Sequence, residues 1–225
     1  MLNAHLHPAS EPTPMAMPAP VPVVYVVDDD LSVRESLELM IRHAGWQPVL
    51  LESAQAFLSQ PESPAPSCLL LDVHLPDLNG LDLQARIASE RPGMPIIFIT
   101  GYGDVPLTVR AMKAGAVEVL TKPYDSDVLL RAIADAIEAS RTALGHESQL
   151  RALRTNYASL TRREQEVLAM VVMGRLNKQI AADLGISEIT VKAHRGKVMR
   201  KMGARSLPEL VKMADLLGQS MAWPV

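Results

Sequence analysis

Five polar residues stand at or just after the ends of short apolar runs: Asp28, Asp29, Asp72, Thr100 and Lys122. In an open parallel α/β sheet the carboxyl ends of all strands meet at one edge, where such sheets bind ligands. Three clustered carboxylates raise each other's pKa by repulsion, and a divalent cation relieves that repulsion. Carboxylate, water and phosphate oxygens are the ligands that Mg²⁺ prefers. The pattern therefore predicts a magnesium site at one sheet edge.

Asp72 is the predicted nucleophile of this group. It ends the run 69–72, Leu-Leu-Leu-Asp, and Pro76 and Asp77 then break the chain into a loop. A short apolar run bounded by turn residues is typical of a buried strand. Aspartate is an established acceptor of phosphoryl groups, and the ammonium of Lys122 suits a phosphoryl oxygen. Any one of these residues alone is ordinary, so the prediction depends on all of them together.

The elements that must position these residues alternate regularly. Predicted strands cover 23–27, 49–51, the leucine run, 95–100 and 116–120, and predicted helices cover 31–44, 53–59, about 81–90, 104–114 and a stretch from 125. Asp30 and Ser53 are expected to cap two of the helices. Such alternation predicts one five-stranded parallel sheet with helices on both faces, a doubly wound α/β fold.

The charge distribution divides the 225 residues into a longer front part and a shorter rear part. Residues 1–150 carry 9 basic and 19 acidic residues, a net charge of −10, whereas residues 151–225 carry 13 and 6, a net charge of +7. An acidic front part suits a cation, and a basic rear part suits a polyanion such as nucleic acid. No apolar run approaches the roughly 18–20 residues that span a bilayer, and the single Cys68 forms no intrachain disulfide.

The segments before and after the predicted α/β elements differ from them in composition. Residues 1–22 contain six prolines and no Lys or Arg, which predicts a disordered Pro-rich tail rather than a secretory signal. Residues 141–159 are polar with spaced leucines, which predicts a helical linker.

The rear part is predicted to be a small all-α module. Four helical segments follow at about 161–173, 177–184, 188–202 and 206–217, punctuated by Gly174, Gly185 and Gly203. The second and third form a helix-turn-helix, the arrangement that places a recognition helix in the DNA major groove.

The recognition helix has two contrasting faces. At 100° per residue, Val191, Val198 and Met202 share one face, and the opposite face carries Lys192, Ala193, Gly196, Lys197 and Arg200. A mid-helix Gly costs roughly 0.5–1 kcal/mol against Ala, so Gly196 has a reason to be there, and close approach to DNA is one. The role of Arg195 stays open.

Residues 23–140 resemble the receiver domain of two-component response regulators, a CheY-like fold. The matching segments are VVDDD, LLLDVHLPDLNG, ITGYGD, AMKAGA and LTKPY. The resemblance implies that Asp72 is the phosphoacceptor and that Asp28 and Asp29 form the metal pocket. Asp29, Asp72 and the backbone carbonyl of His74 would be the Mg²⁺ ligands. Thr100 and Lys122 would bind the phosphoryl group, and Lys122-Pro123 would be a cis peptide.

Position 119 departs from the receiver pattern. The family often has Tyr or Phe there as the aromatic half of its switch, and this chain has Val119. Tyr124 or Tyr102 could take that role. His74 and Tyr102 each follow a motif residue by two places, and as a hypothesis their bulk slows hydrolysis of the phosphoryl group.

Residues 160–217 resemble the LuxR-type DNA-binding domain through LTRREQEVL, NKQIAADLGISEITVKAH and KMGARSLPELV. Together with the receiver, the chain resembles the NarL/FixJ family and most closely FixJ-like regulators. The resemblance implies that Lys192, Ala193 and Gly196 face base edges and that Thr190, His194 and Lys197 lie near phosphates. Lys178 and Arg200 complete the predicted DNA-binding set.

The interpretation is a cytoplasmic, phosphorylation-dependent transcriptional regulator rather than an enzyme, with slow self-dephosphorylation left open. Expected domains are the tail 1–22, the receiver 23–140, the linker 141–159 and the DNA-binding domain 160–225. A sensor histidine kinase would phosphorylate Asp72 with Mg²⁺. The phosphorylated chain would form a homodimer on promoter DNA, with RNA polymerase as a candidate further partner and no membrane association.

Two alternatives remain beside this interpretation. The first is a phosphorylation-independent DNA-binding regulator with a degenerate switch, because Val119 replaces the aromatic residue. The second is a phosphatase or phosphotransferase of the haloacid-dehalogenase type. That second class needs an acid two residues after the nucleophile, where this chain has His74.

Overall fold

The structure is a computed structural model that describes residues 20–101 and 105–220. Most of the predicted tail, Tyr102, Asp104 and the last five residues of the predicted DNA-binding domain lie outside the described residues. The chain divides into two compact units, with the division after Arg141.

The first unit contains a parallel sheet in the order β2-β1-β3-β4-β5. Its strands are β1 (Val23–Val27), β2 (Gln47–Leu51), β3 (Ser67–Asp72), β4 (Ile96–Thr100) and β5 (Glu118–Thr121). The helices that alternate with them are α1 (Leu31–His43), α2 (Ala54–Leu58), α3 (Gly80–Glu90), α4 (Val105–Lys113) and the first part of α5 (Ser126–Ala158), whose remainder belongs to the second unit. The predicted five-stranded parallel α/β fold is confirmed.

The alternation of side chains along β1 builds a separate core on each face of the sheet. Val23, Tyr25 and Val27 pack in a core with residues of α2, α3 and α4. Val24 and Val26 pack in another with residues of α1 and α5. Because successive strand side chains point to opposite faces, a strand buried on both faces must be apolar throughout. This explains the unbroken apolar runs of β1, β3 and β4.

Side-chain caps begin the helices that follow the strands. The Asp30 carboxylate accepts from the Ser32 amide, and the Ser53 hydroxyl accepts from the Ala56 amide, as predicted. The Asn79 side chain accepts from the Leu81 amide. These caps satisfy amides that have no intrahelical partner, and so each helix starts directly after its loop.

Several element boundaries differ from the predicted ones. β2 begins at Gln47 rather than residue 49 and includes Pro48, which is tolerated because β2 is an edge strand. β5 covers Glu118–Thr121 rather than 116–120. α5 runs from Ser126 to Ala158 as one helix, which covers both the last receiver helix and most of the segment predicted as a helical linker. No proline interrupts α5, so nothing in its sequence forces the helix to end earlier.

The second unit contains α6 (Arg162–Val172), α7 (Asn177–Leu184), α8 (Glu188–Met202) and α9 (Leu207–Ser220). A capping box between Thr161 and Glu164 starts α6, and left-handed glycines at 185 and 203 end α7 and α8. The core collects apolar residues from α6 to α9, among them Val167, Val191 and Val198. In the described part of the chain, every helix is too short or too polar to cross a membrane.

Candidate functional site

The carboxyl ends of β1 and β3 bring three carboxylates together. β1 and β3 are neighbours in register, with Val27 opposite Leu71, so Asp28 and Asp72 leave adjacent strands at the same edge. One oxygen from each of Asp28, Asp29 and Asp72 lies within 4.8 Å of the others. Asp28 and Asp72 are only 3% and 8% exposed, whereas Asp29 is exposed. The structure thus places the predicted acidic residues in one cluster.

Lys122 joins two of these carboxylates. Its Nζ lies 2.7 Å from Oδ2 of Asp28 and 2.8 Å from Oδ2 of Asp72. Burial raises the pKa of Asp28, and the hydrogen bond from Lys122 only partly offsets it. Burial alone would lower the pKa of Lys122, but the bonds to Asp28 and Asp72 outweigh it and raise that pKa. Lys122 is therefore held as a cation against two carboxylates.

Lys122 directly follows β5, and backbone pairing with β4 fixes its position. The Lys122 amide donates to the Thr100 carbonyl at 2.8 Å, which continues the β4–β5 pairing by one residue. The Lys122-Pro123 peptide is cis, as the resemblance implied. Thr100 itself is fully buried at the end of β4, the strand beside β3. The predicted phosphoryl-binding residues therefore end the two strands that follow β3 in the sheet.

The loop after β3 is tied back onto the cluster. The His74 amide donates to Oδ1 of Asp72 at 2.9 Å, and the Gly80 amide donates to the Val73 carbonyl at 2.9 Å. A Cβ on Gly80 would lie 2.6 Å from the Asp72 carbonyl oxygen and 2.9 Å from Cα of Val73. Only glycine fits this approach of α3 to the end of β3, a role that the sequence did not single out.

Asp77 anchors the middle of the same loop. Its carboxylate accepts from the backbone amides of Gln55 at 2.9 Å and Ala54 at 3.2 Å, at the start of α2. Partial desolvation would raise the pKa of Asp77, but these bonds outweigh it and lower the pKa. In the sequence Asp77 was only a turn residue, because its partners lie more than 20 positions away.

Both oxygens and the backbone of Asp28 are also held. Oδ1 accepts from the Asp30 amide at 2.9 Å, and the Asp28 carbonyl accepts from Nη1 of Arg34 at 2.6 Å. In the sequence, nothing around Arg34 distinguishes it from an ordinary basic residue on the surface of a helix. The six-residue spacing does place Arg34 at the end of the first turn of α1, where its side chain reaches back to the end of β1.

The switch positions lie on opposite faces of the sheet. Val119 in β5 is half-buried, stands opposite Phe98 in register and packs on the core shared by α2, α3 and α4. Tyr124 packs on the core shared by α1 and α5, and burial raises its pKa. Tyr124 therefore does not fill the place of an aromatic residue at position 119. Tyr102, the other candidate, lies outside the described residues.

The donor set of the cluster fits a hard divalent cation. Asp28, Asp29 and Asp72 offer only carboxylate oxygens, which suit Mg²⁺ rather than softer metals. Chemically, Asp72 can act as an oxygen nucleophile. The adjacent Lys122 ammonium can stabilise negative charge that develops on an incoming phosphoryl group.

The second unit presents a basic helix surface. Val191, Val198 and Met202 of α8 are buried. The opposite face of α8 is exposed along its length, at Lys192, Ala193, Gly196, Lys197 and Arg200. A Cβ added to Gly196 would meet no atom within 4 Å. The two predicted faces of the helix are confirmed, and packing within the protein does not require glycine at position 196.

Two cations of α8 are engaged inside the unit instead. Nη1 of Arg195 donates to Oδ1 of Asn177 at 2.8 Å, which links α8 to α7. Nζ of Lys201 lies 2.7 Å from Oε2 of Glu164 and 2.9 Å from the Ser159 carbonyl. Hydrogen bonds from Lys201 and the Thr161 amide lower the pKa of Glu164 to about 2. The bond to Asn177 gives Arg195 a structural role between α7 and α8, which the sequence had left open.

The remaining predicted DNA-binding residues border this surface. Lys178 of α7 is exposed, and the Thr190 hydroxyl lies 2.8 Å from the Ser187 hydroxyl at the start of α8. His194 is half-buried, with Nδ1 buried and without a hydrogen-bond partner in the described chain.

Comparisons with known proteins agree with both units. Residues 24–134 match the response regulator receiver domain, and residues 158–214 match the luxR family of bacterial regulatory proteins. The chain is 46% identical to nodulation protein W of Bradyrhizobium diazoefficiens over 198 residues, covering 88% of this chain and 87% of that protein. It is 41% identical to the transcriptional regulatory protein FixJ of Rhizobium meliloti over 191 residues, covering 85% and 94%.

Two solved structures of response regulators match most of the chain. The response regulator StyR matches with a TM-score of 0.79 and 42% identity, covering 87% of this chain and 99% of that one. Full-length FixJ from B. japonicum matches with a TM-score of 0.51 and 38% identity, covering 88% and 97%.

The fold and site define a receiver joined to a helix-turn-helix module. The chain belongs to the two-component response regulators that combine a receiver domain with a LuxR-type DNA-binding domain, as FixJ does. It regulates transcription in response to phosphorylation. A receiver implies a histidine kinase as phosphodonor, and a LuxR-type domain implies DNA. A protein of this class is a regulator rather than a classical enzyme, which removes the phosphatase alternative.

Proposed function

We propose that Asp72 is the residue that accepts the phosphoryl group from the kinase. The observation that carries this proposal is the convergence of Asp72, Asp28 and Lys122, with Lys122 Nζ within 2.8 Å of both carboxylates. In the proposed reaction an Asp72 oxygen forms the new bond to phosphorus, and the kinase histidine is the leaving group. Lys122 and the Thr100 hydroxyl then hold the transferred phosphoryl oxygens.

The proposed cofactor is Mg²⁺, held by Asp29, Asp72 and the His74 carbonyl, with Asp28 beside them. The ion would neutralise charge on the phosphoryl group during its transfer. The bond from the His74 amide to Asp72 supports this set, since it keeps residue 74 beside the carboxylates. The exposed side chain of His74 would slow loss of the phosphoryl group by hydrolysis.

Phosphorylation is proposed to cause homodimerisation through α4, β5 and α5. A phosphoryl group adds roughly −1.5 to −2 charge. It would draw Thr100 toward Asp72 and move the Lys122 contact onto the phosphoryl oxygens, and both changes would shift the elements attached to these residues. Exposed apolar side chains occur on α4 and α5 and directly before β5, at Val105, Val109, Met112, Val117 and Val128. Exposed apolar groups of this kind suit a protein interface.

Two DNA-binding modules of such a dimer would bind paired half-sites in promoter DNA. The proposed contacts are Lys192, Ala193 and Gly196 at base edges, Thr190, His194 and Lys197 at phosphates, and Lys178 and Arg200 beside them. Phosphate contacts would supply affinity and base contacts specificity. The proposed domains are the receiver 23–140, the linker 141–159 and the DNA-binding domain 160–225, acting in the cytoplasm, with RNA polymerase as a further partner at the promoter.

The test of the phosphoacceptor uses acetyl phosphate with Mg²⁺ and intact-mass measurement. Wild type should gain one phosphoryl group. Asp72→Asn should gain none, because its amide is not a nucleophile, and the exposed-site control Asp82→Asn should behave as wild type. Uptake by Asp72→Asn at the wild-type rate would disprove the assignment.

A second experiment separates this proposal from a degenerate switch. Beryllofluoride with Mg²⁺ mimics the phosphoryl group without a kinase. The proposal predicts a rise in dimer content and DNA affinity in wild type but not in Asp72→Asn. No change in wild type would favour the phosphorylation-independent regulator that Val119 suggests.

A further inference from the structure

Ile189 is the most exposed large hydrophobic side chain among the described residues. Its exposed fraction is 80%, although it lies in the first turn of α8, directly after the Ser187 cap and Glu188. Exposing so large an apolar side chain forgoes the favourable free energy that burial would bring. Three other large apolar residues of α8, Val191, Val198 and Met202, are buried. Ile189 is therefore accessible to a partner molecule, and its surroundings on the helix decide which kind of partner fits.

The position of Ile189 around the helix identifies the surface to which it belongs. At about 100° per residue, Ile189 lies within about 60° of Lys192, Ala193, Gly196 and Arg200. It lies about 180° from the buried Val198 on the same scale. Ile189 thus belongs to the face that the proposed function directs toward DNA, at the N-terminal end of that face.

The charges around Ile189 favour a polyanion over an apolar protein partner. Lys178, Lys192, Lys197 and Arg200 are all exposed on α7 and α8. The acidic Glu188 lines a surface depression with Lys178, Lys192 and Arg195, so cations outnumber it there by three to one. An exposed apolar residue on a helix surface that also carries cations matches a nucleic-acid groove, where phosphates flank the base edges.

The major groove offers one apolar group to such a side chain, the C5-methyl of thymine. The first turn of a recognition helix is also the part that contacts base edges in helix-turn-helix complexes. We propose that Ile189 is a specificity-determining residue that packs against a thymine methyl group in the major groove. This inference rests on the proposed DNA-binding function and adds a named base to it.

The test compares thymine with deoxyuridine, which lacks only the methyl group. Duplexes are first selected from a random library with full-length wild type activated by beryllofluoride and Mg²⁺. Each conserved thymine of the selected duplex is then replaced by deoxyuridine, and dissociation constants are measured by fluorescence anisotropy at fixed salt. At one thymine per half-site, the replacement should weaken wild-type binding about fourfold, as expected for one methyl group lost from an apolar contact.

The variant Ile189→Ala provides the decisive comparison. It should bind the thymine duplex more weakly than wild type and lose its preference for thymine over deoxyuridine at that position. Truncation of an exposed side chain should leave folding intact. The control Leu39→Ala truncates a similarly exposed residue, 73% exposed on α1, and should keep the full thymine preference.

The possible failures are distinguishable. If activated wild type selects no sequence, the proposed DNA-binding function fails. If wild type selects a sequence but deoxyuridine weakens wild type and Ile189→Ala equally, the assignment of Ile189 is overturned. Unchanged DNA binding with reduced dimer content in Ile189→Ala would overturn it as well and assign Ile189 to a protein interface.

Discussion

Nζ of Lys122 lies 2.8 Å from Oδ2 of Asp72, although 50 positions separate the two residues in the chain. The same ammonium holds Asp28, so one cation balances two nearly buried carboxylates. Mg²⁺ at the proposed site would bind the same Asp72 carboxylate that Lys122 contacts. Removal of the Lys122 ammonium should therefore change both the stability of the receiver and the amount by which Mg²⁺ stabilises it.

The variant Lys122→Met tests this relationship. Removing the ammonium leaves two carboxylates without a cation, which should lower the free energy of unfolding by roughly 1–3 kcal/mol. Mg²⁺ can then supply the positive charge that Lys122 no longer provides, so its addition should raise Tm more in the variant than in wild type. Thermal denaturation with and without Mg²⁺ measures both effects. Lys113→Met, at an exposed position, is the control, and equal Mg²⁺ effects in all three proteins would contradict the prediction.

Gly80→Ala should disturb the site through the backbone. Its Cβ would come within 2.6 Å of the Asp72 carbonyl oxygen, so α3 or the end of β3 must move, at a cost of roughly 1–3 kcal/mol. Phosphoryl uptake at Asp72 should slow as well. Gly145→Ala is the matched control, because a Cβ there meets nothing within 4 Å and should stabilise α5 by roughly 0.5–1 kcal/mol. Urea denaturation that shows the same change for both variants would refute this steric explanation.

Glu164 should make the stability of the second unit depend on pH. Its pKa is lowered from 4.5 to about 2 in the folded protein, chiefly by Lys201 and the Thr161 amide. A lowered carboxyl pKa contributes stability that is present above the unfolded value, 4.5, and lost as the pH falls toward 2. Urea denaturation, followed by NMR signals of α6 and α8 amides, should show this loss.

The variant Glu164→Gln isolates the ion pair from the cap. Glutamine still serves the capping box but carries no charge for Lys201. The variant should be less stable than wild type near neutral pH and should lose less stability between pH 5 and 2. Asp215→Asn, at an exposed position of α9, should keep the wild-type pH dependence. A wild-type slope in Glu164→Gln would show that other groups cause it.

Gly196→Ala should separate stability from DNA binding. Alanine in mid-helix should raise the stability of α8 by roughly 0.5–1 kcal/mol, because no protein atom obstructs the new Cβ. DNA affinity should fall, since the methyl group would occupy space proposed for the groove floor. Thermal denaturation and anisotropy titration test the two effects, with Gly145→Ala as a stabilised variant of unchanged affinity. Unaltered DNA affinity in Gly196→Ala would argue against close approach at that position.

Much of the fold could be predicted because its signals are local. The bounds of α7 and α8 match the prediction residue for residue, since a glycine ends each helix and Ser187 caps α8. The strands β1 and β4 were recognisable from their unbroken apolar runs. The start of β2 and the bounds of β5 were missed, because edge-strand pairing follows the neighbouring strand rather than local composition.

The sequence by itself determined the class of protein and the residue types of its site. Acidic residues, a threonine and a lysine at strand ends, followed by a basic helix-turn-helix, are local patterns that can be read without coordinates. The tertiary structure alone decided which groups meet: Lys122 with Asp28 and Asp72, Asp77 with the start of α2, and Arg195 with Asn177. It also decided that Ile189 stays exposed while Val191 is buried. These outcomes depend on contacts between segments 18 to 94 positions apart, and local propensity carries no information about such contacts.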